Sequence, residues 1–145
     1  MTARDFLSRA YKIDLRINSK REQIERLNAL ATKCTSTITG MPHNPSPSIS
    51  PMADAVCQII DLENEIARDL QELIRVKKEI VDTIRNVVNL EYQTLLEMRY
   101  IGEATWEEIA VNMHYSSKWL HRIHEGALAA VEKIINNKSV PESSL

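Results

Sequence analysis

The sequence predicts an all-α fold: a long antiparallel, coiled-coil-like helical hairpin followed by a smaller domain of short helices. Three observations carry this. Glycine occurs only three times in 145 residues, too rarely for a strand-and-turn-rich chain. Apolar residues recur at helical steps over two long stretches. Between those stretches lies a segment dense in proline and serine. Apolar residues make up 43% of the chain and aromatic residues only 5%, which suits helix packing better than a large globular core.

The first stretch, residues 3–35, carries Phe6, Ala10, Ile13, Ile17, Ile24, Leu27, Ala31 and Cys34 at alternating steps of four and three. This is a heptad seam, with Lys20 filling its one gap. No proline or glycine interrupts it. As a helix it would reach roughly 50 Å at about 1.5 Å per residue. Residues 36–51 read as a linker. Pro42, Pro45, Pro47 and Pro51 stand among serines, threonines and Gly40, which opposes helix formation and favours an extended connection. Residues 52–86 form the second long helix. Its stripe is Ile59, Leu62, Ile66, Leu70, Leu73, Val76, Ile80 and Ile84, widened by Val56, Ile60, Ile74 and Val81. So wide a stripe can meet more than one neighbour. The first helix, folded back across the linker, is one. A second copy of the chain is the other, because two helices alone make a thin core.

A third helix begins at Asn89, a capping residue, with Glu91 near its positive end. Leu95, Leu96, Met98 and Tyr100 are its apolar content, and Gly102 is expected to end it in a left-handed conformation. Thr105 with Glu108 then forms a capping box. Trp106, Ile109, Ala110 and Met113 share one face of the helix that follows. After a break at His114-Tyr115, Ser116 starts a further helix that turns Leu120, Ile123, Ala127 and Leu128 inward and continues through Val131, Ile134 and Ile135. Residues 137–145, with Pro141, read as a flexible tail. The expected division is therefore a hairpin at 1–86 and a short-helix domain at 87–136.

Two helices joined by a short turn, the second amphipathic, form the arrangement that enters the DNA major groove. Ser117, Lys118, His121 and Arg122 face outward on the second helix. Arg122 suits bidentate contact with guanine, and Lys118 suits guanine or phosphate. Ser116, Ser117 and the free amides at the helix start suit a phosphate. Trp119 stands near the same end, within reach of the DNA backbone or of the preceding turn. The charge pattern tempers this reading. Residues 1–40 are net +4, residues 41–104 net −5 and residues 105–145 net −1. A DNA-binding domain normally has a basic footprint, so one copy acting alone is expected to bind weakly.

Other chemistries find little support. His121 and His124 are three residues apart with His114 nearby, but no Cys or carboxylate set completes a zinc site. Glu107 and Glu108 are adjacent and point apart on a helix. Phosphate loops and nucleophile motifs are missing, so neither an enzyme nor a cofactor is expected. Cys34 and Cys57 flank the linker and are read as buried, reduced thiols. With no apolar run of about 18 residues and no signal core near Arg4 and Asp5, the chain is expected in the cytoplasm.

Residues 94–128 resemble region 4 of bacterial sigma factors, with Trp106-Glu107-Glu108-Ile109-Ala110, Met113 and Tyr115-Ser116 aligning without a gap. The whole chain resembles an uncharacterised family of small phage and prophage proteins of Gram-positive bacteria. The resemblance rests on the Ile13–Lys20 segment, the Ser/Pro-rich linker, Leu95–Tyr100, Trp106–Ala110 and His121–His124. Related phage proteins of the ArpU and RinA type are regarded as regulators of late transcription. The resemblance implies a sigma region 4-like helix-turn-helix, a role in controlling phage genes in a bacterial host, and base-facing positions at Ser117, Lys118, His121 and Arg122. His114 stands where region 4 usually has glycine, and Ser117 where arginine is frequent. The alternative is a protein-interaction module that binds RNA polymerase or a host factor without reading bases.

Overall fold

The computed structural model describes residues 1–38 and 50–139, and among them every regular element is helical. The helices are α1 (Ala3–Ile38), α2 (Ser50–Arg85), α3 (Leu90–Leu96), α4 (Trp106–Met113) and α5 (Ser117–Ser139). A π-helical turn, Glu97–Ile101, continues α3. No described helix is long and apolar enough to cross a membrane.

The helix ends differ from expectation in three places. Helix α1 runs on to Ile38, past the expected start of the linker. Helix α2 begins at Ser50 with Pro51 in its first turn, where the missing N–H would have had no intrahelical partner. Helix α5 runs to Ser139, past the expected start of the tail at residue 137. There Ile135 and Lys138 line a shallow cavity with Phe6, Glu79, Asp82 and Thr83. The linker prolines Pro42, Pro45 and Pro47, the Cys34 side chain and the last six residues lie outside the described residues.

Contacts divide the chain into two units. One comprises Met1–Ala10 with the described residues from Ile74 onward; the other comprises the described residues of Tyr11–Leu73. The start of α1 and the end of α2 belong with the short helices, because the core there recruits them: Leu7, Ile80 and Ile84 are buried almost completely. Arg4 also reaches Glu125 at 2.8 Å, and Arg9 pairs with Glu79.

Within Tyr11–Leu73 the two long helices are antiparallel. Arg16 reaches both Glu72 (3.2 Å) and Asp69 (3.0 Å), whereas Lys20, one turn further along α1, reaches Asp69 (2.7 Å). Asp69 is buried, while Leu70, expected in the core stripe, is 37% exposed. The gap that Lys20 left in the heptad seam is thus filled by an ion pair. The hydrogen bond from Lys20, assisted by Arg16, holds the Asp69 carboxyl below the usual carboxylate range against the opposing effect of burial. The first step of the seam also shifts, since Leu7 is buried where Phe6 was expected. Cys57, expected to be buried, is exposed on α2.

In the other unit Leu95, Ile109, Leu120 and Ile123 form a core cluster. Tyr92, Met98, Ala104, Trp106, Ala110, Met113 and Tyr115 pack around it. Gln93 donates to the carbonyls of Ile84 and Arg85 at 3.3–3.4 Å, closing the last turn of α2. Asn89 caps α3 by accepting from the amides of Glu91 (2.9 Å) and Tyr92 (3.2 Å).

Candidate nucleic-acid interface

The candidate surface depends on how α3, α4 and α5 are joined. The amide of Gly102 donates to Glu97 O (2.9 Å) and that of Ala104 to Met98 O (3.0 Å). Gly102 is right-handed, at φ −82°, so its expected left-handed role is not the reason for glycine here. A Cβ at Gly102 would stand 3.1 Å from Met98 O, a tight approach that favours glycine there. The positive φ falls one residue later, on Glu103 at 55°.

Thr105 caps α4, its hydroxyl oxygen accepting from the Glu108 amide at 3.2 Å. Helix α4 ends on His114, which adopts φ 60° and ψ 39°. The departure from glycine is therefore absorbed as a left-handed histidine. Such a conformation costs roughly 1–2 kcal/mol for an L-residue. His114→Gly is expected to stabilise the chain by about 0.5–1 kcal/mol, the remainder being lost to glycine's freedom in the unfolded state. A thermal melt checks this, and an unchanged or lower midpoint would show that the histidine has a compensating contact.

Ser116 starts α5 as expected, its Oγ accepting from the Trp119 amide (3.2 Å) and its carbonyl from the Leu120 amide (3.0 Å). All six candidate residues, Ser116, Ser117, Lys118, Trp119, His121 and Arg122, are exposed. Leu120, Ile123, His124 and Ala127 turn inward and hold the helix against the core. Ser117, Lys118, His121 and Arg122 follow the i, i+1, i+4, i+5 spacing of a single helical face. Among the described residues no ion pair engages Lys118 or Arg122, so both cations are open to a ligand. Trp119 lies 6.5 Å from the Tyr115 ring and so packs on the preceding turn. Tyr115 in turn donates to Glu91 Oε2 at 3.1 Å, which ties that turn to the start of α3.

Beneath the exposed face is an aromatic support that sequence reasoning did not assign. Trp106 lies edge-on to His124, with ring centroids 4.7 Å apart, and 5.7 Å from His121. The Arg99 guanidinium sits 4.7 Å over the Trp106 ring and donates to Ala104 O at 3.0 Å. His124 Nε2 is 2.7 Å from the Tyr100 hydroxyl. Burial, aided by Arg4, Arg99 and His121, holds His124 down from 6.5 to about 4, so it is neutral at pH 7; Glu125 opposes the shift. Burial also raises Tyr100. One signal could have revealed His124: it shares the inward register of Leu120, Ala127 and Val131. The π-turn that delivers Arg99 and Tyr100 leaves no comparable mark in the sequence. Among the described residues no group of three or more His, Cys, Asp or Glu is placed to hold a metal ion.

Neither the curated proteins nor the solved structures contain a significant match to the chain. A family model matches residues 50–132, from the first residue of α2 to well inside α5 and thus over more than half of the chain. Through that match the chain belongs to the family described as protein of unknown function (DUF1492).

Proposed function

We propose that this chain is a sequence-specific DNA-binding transcriptional regulator of phage or prophage genes, of the late-control type, acting as an oligomer. The observation that carries the reading is one exposed face on α5. Ser117, Lys118, His121 and Arg122 stand together there at the start of a helix whose other face is locked into a core. The three-residue connection from α4 to α5 and the resemblance to sigma region 4 support the same reading. Arg122 and Lys118 read base edges, His121 and Ser117 add hydrogen bonds, and Ser116 with the first amides of α5 holds a phosphate. Trp119 borders the DNA backbone.

Oligomerisation answers the weak charge of residues 105–145, net −1, because two reading heads sum their affinities over two half-sites. Helix α2 supplies a surface for it: Val56 (42% exposed), Ile60 (51%) and Leu70 (37%) are open apolar side chains on one helix. The test is an electrophoretic shift against DNA upstream of the neighbouring operon, across a salt series, with the association state measured by sedimentation equilibrium. The expected log–log salt slope is about −0.9 per phosphate contact. Arg122→Ala is expected to weaken specific binding roughly tenfold to a hundredfold. No shift at micromolar protein, a flat salt response or an indifferent Arg122→Ala would overturn the reading.

The weak local charge also favours a second reading, an interaction module that binds RNA polymerase or a host factor. Such an adaptor would keep its function in the Lys118→Ala, Arg122→Ala double variant and lose it when Val56 and Ile60 are made polar.

A further inference from the structure

We infer that Trp106, on α4, is a positioning residue that sets which base His121 reads. The inference rests on the DNA-binding reading above and deepens it. An exposed histidine on a helix ordinarily exchanges among staggered χ1 wells. His121 is exposed, yet its ring lies 5.7 Å from Trp106, tilted by 47°. Trp106 is itself clamped by Arg99 over its ring and by the His124 ring, T-shaped against it. Arg99 is anchored on Ala104 O, and His124 on the Tyr100 hydroxyl. The clamp therefore runs from the π-turn through Trp106 to an outward-facing side chain of α5.

The consequence is a difference among the four base-facing residues. Lys118 and Arg122 sample many rotamers before they meet DNA, and ordering them costs part of their contact energy. His121 is ordered in advance against a rigid wall. An imidazole presents its two ring nitrogens in fixed directions, so its orientation decides which groove-edge pattern it can satisfy. Trp106 touches no base in this arrangement. It narrows the directions open to His121 and thereby sharpens the preference at a single base pair.

The experiment selects sites from a randomised duplex DNA pool with the full chain and compares base-preference profiles for wild type, H121A, W106F and W106L. Helical content is confirmed by circular dichroism. Expected for H121A is a roughly tenfold loss of discrimination at one base pair of each half-site. W106L should lose discrimination at that same base pair, W106F should retain it, and the preferences set by Lys118 and Arg122 should persist in both. In parallel, the imidazole C–H proton signals of His121 should be displaced by the Trp106 ring current in wild type and return toward free-histidine values in W106L. The inference is overturned if W106L keeps the His121-dependent preference, if it weakens all positions equally, or if His121 shows no ring-current displacement in wild type. A pool that never enriches overturns the DNA-binding reading and this inference with it. Enrichment with an unmoved W106L profile overturns this inference alone.

Discussion

Leu95→Ala is expected to destabilise the unit that carries α5 by about 2–5 kcal/mol. Leu95 is fully buried and clusters with Ile109 from α4 and with Leu120 and Ile123 from α5. Removing the leucine methyls forfeits their transfer energy and leaves a cavity where three helices meet. Collapse into that space is restricted. Trp106 is held by Arg99 and His124, and the core-facing side of Gly126 is already occupied by Tyr92, whose Cζ would lie 2.7 Å from any Cβ there. The expected cost therefore belongs in the upper part of the range. Both tryptophans, Trp106 and Trp119, lie in this unit, so urea unfolding followed by tryptophan fluorescence reports on it directly. Leu90→Ala is the control, since Leu90 is 73% exposed and its loss should matter by no more than about 0.5 kcal/mol. A Leu95→Ala cost below about 1 kcal/mol would show that these helices do not share one close-packed core.

Acidification is expected to destabilise the same unit by about 2 kcal/mol between pH 7.5 and pH 5, and by about 3 kcal/mol on reaching pH 4, through His124 alone. In the unfolded chain this imidazole takes a proton near its ordinary value of 6.5; in the folded chain it does so only at about 4. Between those values the unfolded state binds more protons, so stability rises with pH. The contribution is complete above pH 6.5, declines as pH falls through the window, and levels off below about 4. The titratable groups around His124 are Arg4, Arg99, His121, Glu125 and Tyr100, whose hydroxyl lies 2.7 Å from its Nε2. Of these, Glu125 alone opposes the shift. Asp69, the other strongly engaged group, has a depressed carboxyl, so its contribution is lost only at lower pH, below the ordinary carboxylate range. The two effects therefore separate along the pH axis. Urea midpoints at pH 7.5, 6, 5 and 4.5 should show the slope in wild type, and His124→Gln should flatten it between pH 6.5 and 5. A variant with an undiminished slope would assign the acid sensitivity to other groups.

Much of the helical architecture was legible because its signals are local. Asn89, Thr105 and Ser116 each accept hydrogen bonds from the amides of the helix they precede, and side chain–backbone geometry of that kind is written within three residues. The exposure of Ser117, Lys118, His121 and Arg122 follows from the same 3.6-residue period that buries Leu120, Ile123 and Ala127. The failures came where a residue's role depends on a distant partner. Leu70 fits the apolar stripe, but Asp69 is the residue turned inward, because Lys20 and Arg16 on another helix neutralise it. Gly102 suggests a left-handed stop, but it is right-handed, a Cβ there would crowd Met98 O, and Glu103 takes the positive φ.

The sequence by itself determined the all-α class, the starts of α3, α4 and α5, and the exposed face formed by the start of α5. Periodicity and capping are properties of neighbouring residues, so no tertiary information was needed for them. Only the tertiary structure decided where the compact units divide, since an unbroken helix carries no mark of where its packing partner changes. It alone likewise placed Arg99, Trp106, His124 and Tyr100 beneath His121, because their meeting depends on a π-helical turn and on the packing of α3, α4 and α5 around Leu95 and Ile109.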